Sequence, residues 1–228
     1  MDFHLNKLVS INVGMPRNMQ NHEKELLTGI HKQEVNKPIF LSKENFAGDG
    51  QADLVHHGGV DKAVCVYSYN HYPYWTNKLQ IPLSYGAFGE NITVNGLTEE
   101  EVCIGDVYQL GETQVQVTQP RQPCHKLAKR YKEPKLPLWF QDSGYTGYYF
   151  RVLQEGLVSK DMSIKLIRKH PKNVTISFAN QIMHHDKKNI EGINKILEVD
   201  ELSASWRETL AKRLNGAVED TRGRLKGI

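Results

Sequence analysis

Residues 91–118, which read NITVNGLTEEEVCIGDVYQLGETQVQVT, decide the fold class because short apolar runs alternate with glycines. Four strand-forming segments lie within this stretch, at 91–94, 101–104, 107–110 and 115–118. The turns between them contain Gly96, Gly105 and Gly111. The segments are rich in β-branched residues, which favour strands, and the alternation TQVQVT places Val115 and Val117 on one face. Regular short strands of this kind are typical of a sandwich or barrel and not of a doubly wound sheet.

The same pattern of short strand-forming segments extends toward the N-terminus. Further strand-forming segments lie at 7–13, 37–41 and 63–69. Two helices are predicted in this part of the chain, at 70–78 and, after the Gly144 turn, at 143–154. No GxGxxG or phosphate-loop motif is present, so a nucleotide-binding fold has no support. The predicted fold class is therefore mainly β, with a barrel-like core and a few helices.

From residue 173 onward, apolar residues recur at spacings of three and four, which is the period of an amphipathic helix. The first stripe contains Ile176, Ala179, Ile182 and Met183, the second Ile190, Ile193, Ile196 and Leu197, and the third Trp206, Leu210 and Leu214. Thr175 and Ser203 precede the first and third helices, and Gly216 follows the third. We predict a main domain at 1–168, a three-helix appendage at 169–216 and a frayed tail at 217–228.

Length and composition narrow the class of protein. A chain of 228 residues suits one large domain or a main domain with a small appendage. With 39% hydrophobic and 24% charged residues, the chain is neither collagen-like, coiled-coil nor fully disordered. No stretch approaches the roughly 18 apolar residues of a membrane span, and the first ten residues lack the design of a signal peptide. We therefore expect a soluble, cytoplasmic protein that does not bind membranes.

Three cysteines differ in their surroundings. Cys65 and Cys103 are flanked by β-branched apolar residues, which predicts buried core thiols. Cys124 instead lies in QPRQPCHKL, where two prolines restrict strand pairing and stiffen the loop. It opens a basic segment, residues 121–135, whose cations are Arg121, Lys126, Lys129, Arg130, Lys132 and Lys135. Neighbouring cations favour the thiolate, which attacks electrophiles or binds metals, so Cys124 is the candidate functional cysteine. An incidental loop thiol is the alternative.

A second candidate site is the sequence HHGGVDK at residues 56–62. Its glycines allow close approach of backbone to a ligand, and His56, His57 and Lys62 offer donors to an anionic oxygen. Zinc is a rival ligand, although no CxxC or HExxH spacing exists, and a plain turn is the simplest alternative. Three further segments contain candidates: GAFGENI with Asn91, the first loop with Arg17, and SGYTGYYFRVL with Arg151.

These motifs together resemble the MOSC domain, which is named after the C-terminal domain of molybdenum cofactor sulfurases. The resemblance rests on HHGGVDKAV, GAFGENITV, VCIGDVYQLG, QPRQPCHKL and SGYTGYYFRVL, in this order and spacing. It covers roughly residues 5–165. Residues 173–216 are similar to the three-helix extension of YiiM-type bacterial MOSC proteins.

The resemblance implies an enzyme of defined chemistry. YiiM-type proteins and the mitochondrial amidoxime-reducing components use a molybdenum cofactor to reduce N-hydroxylated compounds such as hydroxylaminopurine. Cys124 matches the cysteine that binds molybdenum, and it is the expected catalytic residue. The cofactor, molybdopterin, bears a phosphate and needs a positive pocket. The expected cofactor-binding residues are Arg17, His56, His57, Gly58, Gly59, Lys62, Asn91, Gln119, Arg121 and Arg151. Family membership also carries an association with pyridoxal phosphate binding and with detoxification.

The expected partners follow from what the chain lacks. It has no flavin, haem or iron–sulfur motif, and three cysteines cannot supply the four thiolates of an ordinary cluster. The expected partners are therefore the small N-hydroxylated substrate and a separate electron-donor protein. A homodimer is also compatible with the sequence. One alternative is a carrier of cofactor or sulfur that performs no turnover.

A second alternative is nucleic-acid binding through residues 160–228, which contain 14 basic and 9 acidic residues. Glu208 lies among the basic residues of the third helix, so we expect no nucleic-acid partner.

Overall fold

A computed structural model describes residues 7–19, 25–53 and 58–227 of the chain. Twelve strands are present in these ranges. They are β1 (Lys7–Val13), β2 (Arg17–Met19), β3 (Leu26–Thr28), β4 (Gln33–Glu34), β5 (Ile39–Leu41), β6 (Val64–Ser68), β7 (Ile92–Asn95), β8 (Val107–Leu110), β9 (Thr113–Pro120), β10 (Tyr148–Gln154), β11 (Gly156–Val158) and β12 (Ile164–Arg168).

Seven α-helices accompany the strands in the described ranges. They are α1 (Tyr72–Leu79), α2 (His125–Tyr131), α3 (Leu136–Ser143), α4 (Ile176–Asn180), α5 (Ile190–Leu197), α6 (Ala204–Leu214) and α7 (Arg222–Lys226). Short 3₁₀ turns occupy Val60–Lys62 and Tyr69–His71, and a π-helical turn, Gln181–His185, continues α4. None of the described helices is long and apolar enough to cross a membrane.

The core is an eight-stranded mixed sheet in the order β12-β8-β9-β10-β6-β7-β1-β4. Only β6 and β7 run parallel; the other neighbours in this sheet are antiparallel. A single bridge between Lys7 and Ser163 brings the start of β1 beside the start of β12. The sheet therefore curls toward closure without a continuous ladder, and "barrel-like" describes its curvature and not a closed barrel.

Two predicted elements of the core are wrong. Residues 101–104 form a turn and not a strand, because their backbone groups bond elsewhere: Cys103 N–H donates to Asp106 Oδ2 at 2.9 Å, and Ile104 N–H donates to the Val174 carbonyl at 2.9 Å. The helix predicted over 143–154 is strand β10, which pairs with both β9 and β6. Pairing on both sides overrides the local helical pattern.

Gly147 lets β10 begin where it does. Its φ is +73°, and a Cβ added there would lie 2.3 Å from the Val66 carbonyl oxygen on neighbouring β6. A side chain would therefore push the two strands apart. The Gly147 carbonyl also accepts from the Arg121 N–H at 2.9 Å, which ties the start of β10 to the end of β9.

The three C-terminal helices confirm the sequence pattern. The Thr175 hydroxyl accepts from Phe178 N–H at 3.0 Å, and Ser203 caps α6 through Trp206 N–H at 3.3 Å. Ile176, Ile196 and Trp206 belong to the same buried cluster as the sheet residues, so one hydrophobic core joins the sheet and the helices. The boundary at residue 168 remains a sequence prediction, and the packing across it is continuous.

Part of the tail, residues 222–226, is helical where the sequence predicted fraying. Arg224 on α7 donates through Nη1 to the Pro123 carbonyl at 2.8 Å and through Nη2 to Gln141 Oε1 at 3.2 Å. The expectation of a frayed tail is therefore wrong for residues 222–226. Pattern alone missed it because a single five-residue helix is stabilised by such contacts and not by its own propensity.

Acid should destabilise the protein through His184, which is buried in the π-helical turn. Burial, with Arg224 and His185 as smaller causes, lowers the pKa of His184 to about 3 from 6.5. Between these values the unfolded chain binds a proton that the folded protein does not. The free energy of unfolding should therefore fall by about 1.4 kcal/mol per pH unit as the pH drops below 6.5 toward 3.

Urea unfolding between pH 6 and 4, compared for the wild type and His184→Gln, checks this linkage. The variant should show a flatter pH dependence of the free energy of unfolding. His185→Gln, at the exposed neighbouring position, is the control and should keep the wild-type slope. Equal slopes for the wild type and His184→Gln would contradict the prediction.

Candidate active site

A cavity of about 80 Å³ lies beside the junction of β9 and α2. Three loops complete it, at residues 28–32, 49–52 and 88–91. The ionisable side chains of its lining, together with Asn91, are Lys32, Asp49, Lys62, Cys65, Arg121, Cys124, Lys126 and Tyr149. Residues from seven separate stretches of the chain thus converge on one cavity.

Cys124 is placed by the end of a strand and the start of a helix. Pro120 is the last residue of β9 and pairs with Tyr148, so this proline does not prevent strand pairing as the sequence suggested. Cys124 is the N-terminal cap residue of α2, and its carbonyl accepts from Leu127 N–H at 3.0 Å. The residue is 8% exposed. Cys124 is therefore a buried thiol on the cavity wall and not a residue of a loose loop.

Arg121 is the buried cation of the cavity, with 7% of its surface exposed. Its Nη2 donates to the Phe88 carbonyl at 2.6 Å, whereas its Nη1 has no hydrogen-bond partner within the described ranges. Burial by itself lowers the pKa of the guanidinium, but its coupling to the charges that Cys65, Tyr149 and Cys124 acquire when they ionise outweighs burial and raises the pKa. A buried charged donor without a partner is costly unless a ligand satisfies it.

Cys65 is a second thiol of the same cavity. The sequence predicted a core thiol, and the residue is indeed buried, with 6% exposed, but it also lines the cavity. Successive side chains of β6 point to opposite faces, so Cys65 faces away from Val64 and Val66. The flanking valines suggested that Cys65 belongs to the same apolar core as they do. The alternation of side-chain directions along a strand instead indicates that Cys65 faces the opposite side. Burial raises the pKa of Cys65 to about 11, so the side chain stays a neutral thiol near pH 7.

Tyr149 lies opposite Cys65 across the β10–β6 ladder. Burial, followed by the charge that Cys65 would carry on ionising, raises the pKa of the phenol. The aromatic residues of this segment were predicted to be helical, and Tyr149 was not a predicted site residue. Register between strands, which no local pattern reports, brings it to the cavity.

Asn91 organises the opposite wall. Its Oδ1 accepts from the Cys65 N–H at 3.0 Å, and its Nδ2 donates to Asp49 Oδ2 at 2.8 Å. Asp49 also accepts from the Gly14 N–H at 2.8 Å and forms a buried ion pair with Lys32. Asn91 thus lines the cavity as the sequence predicted and fixes the strand that contains Cys65. Asp49 and Lys32 were not selected from sequence, because neither belongs to a recognisable motif.

The remaining predicted site residues divide between the cavity and other places. Lys62 lines the cavity at the end of the 3₁₀ turn, while Gly58 and Gly59 precede that turn and are not among the lining residues. His56 and His57 lie outside the described residues.

Three predicted ligands lie away from the cavity lining. Arg17 is exposed on β2. The Oε1 of Gln119 accepts from the Ser205 hydroxyl at 3.2 Å, so Gln119 links β9 to α6. Arg151 donates to Asp61 Oδ1 at 2.6 Å, and Asp61 Oδ2 accepts from Ala204 N–H at 3.1 Å. Spacing in sequence could not separate these structural contacts from cavity-facing residues.

Comparison with known proteins identifies the family of this chain. Residues 53–165 match the MOSC domain, and residues 174–217 match the YiiM-like, 3-alpha helix domain. The crystal structure of YiiM from Geobacillus stearothermophilus is 38% identical, with a TM-score of 0.78 over 92% of this chain and 99% of that one. This chain belongs to the YiiM-like MOSC family.

Two curated relatives extend the comparison. The uncharacterized protein YflK of Bacillus subtilis is 52% identical over 90% of this chain and 93% of its own length. A protein named reductase from Gibberella moniliformis is 38% identical over 65% of this chain, which corresponds to 27% of that larger protein. At the level of the family, the MOSC domain is associated with the molybdenum cofactor and with reductase activity.

The donor set of this MOSC cavity fits that cofactor. Thiolate sulfur is a soft ligand of the kind that such metals accept, and Cys124 would supply it. Arg121 Nη1 is a buried cationic donor that a phosphate oxygen would satisfy. Lys62 and Lys126 add positive charge to the lining. The residues present therefore meet both needs of molybdopterin, a thiol for the metal and cations for the phosphate.

Replacing Arg121 with methionine should weaken the binding of inorganic phosphate to cofactor-free MOSC protein. Hydrogen bonds to charged groups contribute about 1.5–3 kcal/mol, so affinity should fall on the order of tenfold to a hundredfold. Titration calorimetry measures the change, and circular dichroism verifies that each variant is folded. Arg151→Met is the matched control, since Arg151 pairs with Asp61 outside the cavity. The prediction is wrong if the control loses phosphate binding and Arg121→Met keeps it.

Proposed function

We propose that this protein reduces N-hydroxylated compounds, such as hydroxylaminopurine, with a molybdenum cofactor held by Cys124. The observation that carries the proposal is that one buried cavity contains both Cys124 and Arg121 Nη1, which has no hydrogen-bond partner among the described residues. Membership of the YiiM-like MOSC family and the relative named reductase support the class of chemistry.

The residues have distinct roles in this proposal. Cys124 would bind the molybdenum, and Arg121, with Lys62 and Lys126, would bind the phosphate of the pterin. The bound molybdenum supplies two-electron redox chemistry. The overall reaction converts R–NHOH, two protons and two electrons to R–NH₂ and water. A separate electron-donor protein delivers the electrons, since no redox motif besides the cysteines is present in the sequence.

Cys65 and Tyr149 would present neutral hydrogen-bond donors to the substrate. Burial raises the pKa of both groups, so they keep their protons near pH 7. An O–H or S–H donor can bind the oxygen of an N–OH group without adding charge to the cavity. The neighbouring cation, Arg121, is left to the anionic cofactor.

The test is to produce the protein in a host that synthesises molybdopterin and in one that cannot. Molybdenum, pterin and hydroxylaminopurine turnover with reduced methyl viologen are then measured on both samples. Turnover that is found only in the cofactor-containing sample, and is proportional to its molybdenum content, supports the proposal. Bound molybdenum and pterin without turnover would instead favour a carrier. Absence of both from the first sample would overturn the proposal.

A further inference from the structure

A groove separate from the Cys124 cavity lies between α2 and α7 and encloses about 370 Å³. Its cations are Lys129, Lys132 and Lys226, and His125 lies beside them. Its apolar lining is small and consists of Ala128, Pro134 and Leu225. A groove lined by basic side chains and a few small apolar ones has the composition of a polar protein interface, where charge guides the encounter of the partners. It does not have the composition of a closed ligand cavity.

The positive charge of this groove is not neutralised within the described ranges. Lys129, Lys132 and Lys226 have no ion pair there, whereas Lys212 and Arg213 on α6 pair with Glu208 and Glu219. Glu133, the one acidic residue of the basic segment, accepts from the Lys135 N–H at 2.9 Å. The groove therefore carries a net positive potential that an acidic partner would satisfy.

The groove adjoins the proposed redox centre. His125, in the groove, directly follows Cys124, and Lys126, the next residue, lines the Cys124 cavity. Helix α2 is thus a common wall of the groove and the cavity. Electron transfer slows steeply with distance, so a donor bound here would be favourably placed.

The second wall of the groove is held in place by the Cys124 loop. Arg224 on α7 donates to the Pro123 carbonyl at 2.8 Å, and a Cβ on Gly227 would lie 3.0 Å from the His125 ring. Helix α7 follows the region that matches the three-helix family domain, which ends at residue 217. The groove is therefore formed jointly by the MOSC domain and by a tail beyond the matched helices.

We propose that the α2–α7 groove is the docking surface for an acidic electron-donor protein that carries a surface-accessible redox cofactor. The inference rests on the proposed function, because it names the surface through which that function receives electrons. Charge complementarity between such a donor and Lys129, Lys132 and Lys226 accelerates encounter and orients the donor toward Cys124.

The experiment compares two reductants of the cofactor-loaded protein: reduced flavodoxin, an acidic flavin protein, and reduced methyl viologen, which needs no docking surface. The test variant is Lys129→Glu with Lys132→Glu, and Lys226→Glu is a second variant at an exposed position. Lys165→Glu with Arg168→Glu, on the exposed face of β12, is the charge-matched control. At low salt, kcat/KM for flavodoxin should fall on the order of tenfold or more in both test variants and remain unchanged in the control.

The viologen-driven rate should remain within about twofold of wild type in every variant, because the groove is not part of the cavity. Equal loss with both reductants, flavodoxin kinetics unaffected by charge reversal, or wild-type flavodoxin kinetics insensitive to salt would each overturn the inference. Tight salt-sensitive binding of a labelled oligonucleotide at this groove, without flavodoxin binding, would assign it to nucleic acid and also overturn the inference.

Failure of the proposed function is distinguishable from failure of the docking surface. If the wild-type protein shows no viologen-driven turnover, the proposed function fails by itself. Docking is then judged from direct binding of oxidised flavodoxin, measured by fluorescence titration at low and high salt. Loss of flavodoxin binding on charge reversal in the groove would support the docking surface. Loss of binding only in the β12 control variant would overturn it.

Discussion

Replacing Cys124 with alanine should remove molybdenum from the protein and abolish turnover while the fold remains intact. A methyl group cannot replace a thiolate ligand, and the expected loss of turnover exceeds about 100-fold, the upper end for residues that merely support a metal ligand. Cys124 is 8% exposed and its side chain caps no backbone group, so the cost in stability should be about 1 kcal/mol. Metal analysis, turnover with reduced viologen and urea unfolding check the three parts.

The other two cysteines are the controls for this result. Cys103 is buried beside the turn that pairs with Thr175 and does not line the Cys124 cavity. Cys103→Ala should therefore cost on the order of 1 kcal/mol or more of stability through lost packing and keep its molybdenum. Cys65→Ala should also cost packing energy and keep the metal, although its cavity position predicts an effect on turnover. Retention of molybdenum by Cys124→Ala with its loss from Cys65→Ala would reassign the ligand.

Replacing Trp206 with alanine should lower the free energy of unfolding by roughly 3–5 kcal/mol. The indole is only 2% exposed and packs in the cluster that also contains the sheet residues. Because the helices and the sheet share this core, the loss should lower the midpoint of a single unfolding transition. The sequence predicted that the three helices pack on the barrel or on a second subunit, and that this substitution loosens them and leaves molybdenum binding largely unchanged; the shared core confirms the packing on the sheet.

Urea unfolding followed by both circular dichroism and tryptophan fluorescence measures this effect. Ile190→Ala is the matched control, since Ile190 belongs to the same apolar pattern but is 64% exposed, and its cost should be below about 0.5 kcal/mol. Equal destabilisation by the two substitutions would show that the burial of Trp206 is not the cause. Two separated transitions in the Trp206 variant would show that the helices unfold independently of the sheet.

The C-terminal helices show which features of a structure the sequence can specify. Helix caps, apolar stripes and glycine turns are local, because a few neighbouring residues determine the hydrogen bonds and the buried face. Thr175, Ser203 and Gly216 therefore marked helix ends correctly, and Val107–Leu110 was placed as a strand. Such local signals do not report which other segment completes the core.

The strand β10 shows the limit of local signals. Its residues, YYFRVLQ, follow a glycine turn and were predicted to continue a helix, yet they pair with β9 and β6. These partners lie about 30 and 80 residues away in the chain, according to the paired positions Phe150 with Val117 and Tyr149 with Cys65. Pairing on both sides supplies backbone hydrogen bonds that propensity within the segment cannot predict.

The candidate site divides in the same way. Cys124 and Arg121 could be selected from the sequence, because a thiol among cations is a local feature, and the structure places both side chains in the lining of one cavity. Only the tertiary structure separated Asn91 and Lys62, which face that cavity, from Arg151, whose charge is held by Asp61. The tertiary structure was also needed to add Cys65 and Tyr149 to the site and to place α7 against the Cys124 loop. The physical reason is that residue type and spacing determine what a side chain can do, whereas strand register and packing between distant segments determine what it faces.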